Sequence, residues 1–405
     1  MAGTWLGKGS EKKVDGVGIK TGKQISSSAV MLAVASLAFF FMGFSDVLKG
    51  SAVAEMVGTL GVDYALGGSI LGITYFGFFA GTLSSVSLLK RFAVARLLVI
   101  AVATTALGVI LFGFANHVSV ILFATFLTGG GCGLIDVSAN LTVRLAARPE
   151  QVGRELNRLA FFHGFGSIVS PLFAAMVLNL YSDWHMIYRV AAILLVAATF
   201  AVSKGVSSSN ISTRIPYEKD DRLVLNLQVV LLGGFLFWYM TLETGIAGWL
   251  VAYARQAVGL SDRVATSYLS LFFIMLTIGR FLGSWYVDKV GLLRTIVIHV
   301  VALLVITTVS ALFPRAHILL PLSGFLMAPL FPTTVALLVN ELGTVGLRTT
   351  GIFFSIAGLG GLFGPWIIGM VSRAFSLRFG FGLLAIFATC FLCLTLIYRV
   401  KRKVV

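Results

Sequence analysis

The sequence predicts an all-α integral membrane protein with twelve transmembrane helices in two six-helix halves. Three observations lead there: the chain carries little charge, its apolar stretches approach membrane length, and its second half repeats landmarks of the first. Of 405 residues, 58% are hydrophobic and only 12% charged, against roughly 25% charged in soluble domains. So few charges cannot give a chain of this length a water-compatible surface. A helix needs about 20 apolar residues to cross the hydrocarbon core.

Hydropathy and helix breakers place spans near 28–52, 65–89, 96–115, 119–144, 157–181, 187–203, 224–253, 264–287, 293–312, 317–341, 349–372 and 380–399. Residues 1–27 form a polar tail with five lysines, and the first apolar run after it is a full helix rather than a short leader segment. The longest polar connection, 204–223, sits midway and reads as a linker between halves 28–203 and 224–399, with 400–405 as a second tail. Of the 31 Lys and Arg, 23 fall on the side of the termini. The positive-inside rule then places both termini in the cytoplasm of a multi-pass protein of the inner (plasma) membrane. The net charge of +15 is therefore a topology signal with some attraction for anionic lipid, not a nucleic-acid footprint.

The halves repeat in parallel. Gly164-Phe165-Gly166 followed by Pro171 matches Gly358-Leu359-Gly360 followed by Pro365, and Gly77 and Gly81 match Gly279 and Gly283. Asp46 and Glu243 occupy corresponding places in spans 1 and 7. Gly360 and Gly364 form a GxxxG suited to close helix packing or to flexing of a gating helix, and Pro332 should kink span 10.

Three carboxylates lie at membrane depth: Asp46, Asp136 and Glu243. A charge at the bilayer centre costs roughly 2.5–3.5 kcal/mol by insertion scales, so such groups usually serve a function. Asp46 is the expected main proton carrier, with Lys49 one turn away as its competitor for a static pair. Asp136 would link protonation to substrate contact. Asp136 and Asn140 share one face of span 4, and together offer acceptors and donors for vicinal hydroxyls. His163 adds a second titratable group. Phe162, Trp238 and Tyr239 are candidates to stack on the apolar face of a sugar ring. Glu341 reads as interfacial. Cys132, Cys390 and Cys393 lie in apolar stretches without further ligands. No phosphate-binding loop, metal-ligand cluster or nucleophile elbow appears, so neither an enzyme nor an ATP-driven pump is expected, and no cofactor or metal.

The run from Gly279-Arg280 through Gly283 and Asp288-Lys289 to Gly291 and Arg294 resembles the major facilitator signature at the span 8–9 junction. Parallel six-helix halves are the architecture of that superfamily. The resemblance implies a conformational latch of Gly283, Asp288, Gly291 and Arg294. The span 2–3 copy departs from the pattern, with Val86 where Asp would align. Phe41-Met42-Gly43-Phe44-Ser45-Asp46, Gly133-Leu134-Ile135-Asp136-Val137-Ser138-Ala139-Asn140 and Leu156-Asn157 through His163-Gly164 resemble the fucose–proton symporter family. Tyr239-Met240-Thr241-Leu242-Glu243-Thr244 is similar to the pattern of its glucose-transporting relatives. That resemblance implies proton coupling and sugar binding at Asp46 and Asp136. Fucose carriers have an amide where this chain has His163. The expectation is a monomeric secondary active transporter that takes up a monosaccharide or related polyol with protons. A uniporter or exporter of the same fold, and a membrane receptor without transport, remain alternatives.

Overall fold

The computed structural model describes residues 22–59, 63–148, 151–208, 227–342 and 347–404. The first half holds α1 (Gly22–Thr59), α2 (Tyr64–Leu89), α3 (Val94–Gly113), α4 (Val118–Ala146), α5 (Val152–Tyr181) and α6 (Trp184–Ser208). The second holds α7 (Leu227–Ala252), which runs into a π turn at Tyr253–Ala257, then α8 (Asp262–Val290) and α9 (Leu292–Leu312). A 3-10 turn at Pro314–Leu319 leads to α10 (Leu322–Met327), α11 (Leu330–Leu342), α12 (Leu347–Ala374) and α13 (Leu377–Val404). Among the described residues, eleven helices are long and apolar enough to cross a membrane; α10 and α11 together form one further crossing. The first helix starts at Gly22, ahead of the expected 28. Most of the 204–223 linker and of the 1–27 tail lies outside the described residues.

The expected kink at Pro332 is a correction. The interruption falls at Ala328–Pro329, and Pro332 sits in the first turn of α11, where its missing N–H breaks no helix bond. Pro329 cannot donate to the carbonyl of Phe325. One residue on, the Leu326 carbonyl accepts a hydrogen bond from His299 Nδ1 at 2.7 Å, and His299 Nε2 faces the Tyr286 hydroxyl at 2.8 Å. A buried histidine on α9 thus satisfies backbone at the interruption.

Lipid gives helices no hydrophobic reason to associate, so small residues that admit close backbone contact carry the packing. In the first half α1 packs on α5 and α2 on α4; in the second α7 packs on α12 and α8 on α10. Gly166 of α5 lies against the carbonyl of Phe40, and Gly360 of α12 against that of Phe237. Phe40 and Phe237 are 197 residues apart, the same offset as Asp46 and Glu243, and the two glycines are 194 apart. One turn further, the Ser170 hydroxyl donates to the Phe44 carbonyl at 2.7 Å, while at the matching crossing Gly364 abuts the carbonyl of Thr241. Gly77 against Phe126 and Gly279 against Phe325 repeat the pattern between α2–α4 and α8–α10. A Cβ at Gly360 would overlap the Phe237 carbonyl. Gly360→Val should therefore destabilise the protein by about 1–3 kcal/mol or more, read as a lower melting temperature in detergent. An unchanged melting temperature would contradict this packing.

The halves meet through α2–α12, α5–α8 and α1–α7. Twelve crossings bring both termini to one side of the bundle, here the terminal side. Charged links join the halves on the opposite, far side. Arg255 Nη1 bonds Glu55 Oε2 at 2.6 Å, Arg373 Nε approaches Asp63 Oδ2 at 3.1 Å, and the Tyr64 hydroxyl donates to Gln256 Oε1 at 2.6 Å. Toward the terminal side, a cavity of about 350 Å³ opens between α1 and α5, lined by residues that include Ser36, Phe40, Arg158 and Phe165.

Candidate functional site

The α1–α5 crossing fixes the depth of the first charged group. Gly43 lies against the His163 carbonyl, and Asp46 stands one turn further along α1. Lys49 Nζ donates to Asp46 Oδ1, and the two side chains are only 9% and 27% exposed. The ammonium also sits over the Tyr75 ring, 4.8 Å from its centroid, a cation–π contact that holds it in a dry environment. Tyr75 of α2 lies beside Asp46 and packs on Gly361 of α12, whose added Cβ would come within 2.7 Å of the ring. The pair therefore abuts the seam between the halves.

Asp136 has different company. Asn140 Nδ2 donates to Asp136 Oδ1 at 3.1 Å and to the Asp136 carbonyl at 2.8 Å. Among the described residues no cationic side chain closes on this carboxylate. One turn back, Cys132 lies within electrostatic reach of Asp46, Lys49 and Asp136. The Asp136–Asn140 face expected from the i, i+4 spacing is formed.

The second half contributes Tyr239 and Glu243 from one face of α7 and Arg280 from α8. Glu243 and Arg280 feel each other's charge, yet no ion pair as short as 4 Å forms between these two described residues. The Tyr239 hydroxyl lies within hydrogen-bonding reach of both, and the residue is only 1% exposed. Links cross the seam here. Arg280 acts electrostatically on His163, and Asp46 acts on both His163 and Glu243. Two residues of each half, from four helices, thus lie within electrostatic reach of one another across the seam.

The three rings expected to stack on a sugar have different surroundings. The Tyr239 ring is buried against Phe331 at 5.6 Å between centroids. Trp238 packs among Phe237, Phe363 and Phe387 at the α7–α12–α13 interface. Large rings fill these interfaces because dispersion needs dense contact when the hydrophobic effect is absent. Phe162 alone of the three lines an open space, the cavity beside α1, with the Arg158 guanidinium 5.9 Å above its ring.

Of the latch residues, Gly283 is buried, a Cβ added there would come within 3.4 Å of Pro329, and Gly291 ends α8 with φ +91°. Arg294 is exposed in the first turn of α9. The Asp288 side chain lies outside the described residues. Sequence reasoning treated Arg280 only as part of the loop motif, and Tyr75 not at all. The signal for Arg280 was present: a lone arginine after the apolar run Phe272–Ile278.

The sequence profile described as Major Facilitator Superfamily matches residues 35–347, more than half of the chain. The chain belongs to the Major Facilitator Superfamily. Its members include several to which this chain is similar. The glucose/galactose transporter of Brucella abortus is 24% identical over 367 residues, covering 85% of this chain and 88% of that one. The L-fucose-proton symporter of Escherichia coli is 23% identical, covering 92% and 93%. Among solved structures, a bacterial homologue of the human lysosomal transporter Spinster, in an inward-facing and occupied conformation, superposes with a TM-score of 0.77 at 12% identity. It covers 91% of this chain and 96% of that one. That superposition shows that the two chains share a fold.

Proposed function

We propose that this chain moves a neutral monosaccharide across the plasma membrane by alternating access, in symport with protons. The observation that carries the reading is the Asp136–Asn140 pair: a carboxylate at membrane depth, bonded to an amide and without a counter-cation among the described residues. Such a group can take and release a proton without stranding a positive charge. Asp46 cannot, because its protonation would leave Lys49 uncompensated in a nearly dry site. This moves the main proton-carrying role from Asp46 to Asp136 and leaves Asp46 as a fixed partner of Lys49.

The printed activities of the similar proteins, glucose/galactose transport and fucose–proton symport, support sugar as the substrate class. The far-side links through Glu55, Asp63 and Tyr64 are contacts that must part when the halves rock. The basic bias supports cytoplasmic termini, and the presence of both halves of the site in one chain supports a monomer as the working unit.

Uptake of radiolabelled glucose, galactose and fucose into proteoliposomes tests the reading. Uptake of at least one of them should rise when the lumen is made alkaline relative to the bath. Uptake indifferent to the pH gradient would make the protein a uniporter.

A further inference from the structure

The cavity between α1 and α5 has no part in the transport reading. It holds about 350 Å³ on the terminal side of the contact between Gly166 and Phe40, within the roughly 300–1,000 Å³ usual for small-molecule sites. The faces of α5 show where it opens. Gly166, Ser167 and Ser170 meet α1, and Gly164 meets Thr277 of α8. Phe161, Phe165, Leu172 and Met176 recur at helical spacing on another face and are 46–57% exposed. A continuous exposed apolar strip on a membrane helix is a lipid-facing surface. Phe165 belongs both to that strip and to the cavity lining, and it stacks on Phe161 at 6.3 Å. The cavity therefore opens toward the bilayer, away from the charged groups at the seam.

The lining sets the chemistry of the occupant. Leu37, Phe40, Phe162 and Phe165 supply apolar walls, and the Ser36 hydroxyl already donates to the Leu32 carbonyl at 2.9 Å. Such walls suit hydrocarbon rather than a polyol. The charged residue in the lining is Arg158, whose guanidinium lies 5.9 Å over the Phe162 ring. It shares the Glu155 carboxylate with Arg154, at 3.6 Å and 3.2 Å respectively. Two arginines on one carboxylate leave one net positive charge. The Arg158 side chain is 52% exposed, so its donors can reach a ligand. An apolar trough that ends at a cation fits an amphiphile with an anionic head. An arginine fork matches phosphate geometry, and basic pockets between membrane helices hold anionic headgroups. We propose that this cavity binds an anionic phospholipid from the leaflet on the terminal side. One acyl chain lies along Phe40 and Phe165, and the phosphate meets Arg158. The site is independent of the sugar reading.

Native mass spectrometry of the delipidated protein in neutral detergent tests the assignment, with dioleoyl phosphatidylglycerol, dioleoyl phosphatidylcholine and glycerol 3-phosphate as probes. Phosphatidylglycerol should bind the parent protein more tightly than phosphatidylcholine, and glycerol 3-phosphate, which lacks the chains, should bind far more weakly. Arg158→Gln removes the charge from a half-exposed position, so the lipid-free melting temperature should hold while affinity for phosphatidylglycerol drops about tenfold. Ala33→Trp puts a large ring into the cavity from an exposed lining position. It should weaken phosphatidylglycerol binding with Arg158 still in place. Equal binding of the two lipids by the parent protein overturns the proposal, because a non-selective belt of lipid would give that result. Phosphatidylglycerol binding undiminished in Arg158→Gln, or undiminished in Ala33→Trp, also overturns it. Binding of glycerol 3-phosphate as tight as that of phosphatidylglycerol would make the site one for a free phosphate and overturn the lipid assignment.

Discussion

Asp136→Asn is expected to abolish concentrative uptake. One pH unit corresponds to a free energy of about 1.4 kcal/mol per proton, so symport of one proton per sugar supports about tenfold accumulation for each unit of gradient, with membrane voltage clamped at zero. The variant should only equilibrate, lowering that ratio to about one. Asparagine is close in size to the protonated acid and can still meet Asn140, which bonds the Asp136 side chain at 3.1 Å. Exchange of labelled for unlabelled sugar should therefore persist, with weakened affinity because the carboxylate acceptor is gone. Accumulation ratios and exchange rates in the same proteoliposomes check both parts. Undiminished accumulation by the variant would remove Asp136 from the coupling step and return Asp46 or Glu243 to it.

Lys49→Met is expected to destabilise the protein most among substitutions of the charged groups at the seam. Lys49 donates to Asp46 from a site 9% exposed and lies 4.8 Å over Tyr75. Removing one member of a buried pair leaves the other charge without compensation, a loss of about 3–5 kcal/mol when fully buried. The 27% exposure of the Asp46 side chain reduces this, so about 2–3 kcal/mol is the expected size. The double variant Asp46→Asn/Lys49→Met should recover most of the loss, because no unpaired charge remains. Melting curves of the two single variants and the double variant measure the coupling. Additive losses would show that the pair contributes nothing as a pair.

The spans and the twofold repeat were legible because membranes impose them locally. Apolar length marks each helix, and the glycines at 166 and 360 mark crossings where only a hydrogen fits against a carbonyl. The face shared by Asp136 and Asn140 was legible for the same reason, since i, i+4 spacing sets it within one helix. Partners on different helices were not. Arg280 and Glu243 are 37 residues apart, and nothing in either segment says that α8 brings the guanidinium toward α7. Trp238 and Tyr239 were read as candidates to stack on a sugar ring; which neighbours surround them, here Phe363, Phe387 and Phe331, is set by other helices and is not visible in their own segment. The interruption at Ala328–Pro329 rather than at Pro332 depends on where the helix restarts, a boundary set by tertiary contacts such as the His299–Leu326 bond. Among the basic residues against the charge bias, Lys49 pairs with Asp46 at the seam, Arg280 lies within electrostatic reach of Glu243, and Arg255 and Arg373 join the halves on the far side. Arg189 and Arg378 bond the backbone carbonyls of Gly113 and Leu312. These exceptions to the asymmetry have individual structural roles.

The most direct test of the central claim is luminal pH recorded during sugar entry. Proteoliposomes loaded with a pH-sensitive dye, voltage-clamped with potassium and valinomycin, receive the transported sugar without an imposed pH gradient. The account predicts luminal acidification that tracks sugar entry at one proton per sugar and is absent with Asp136→Asn. Sugar entry by the parent protein without acidification would contradict it.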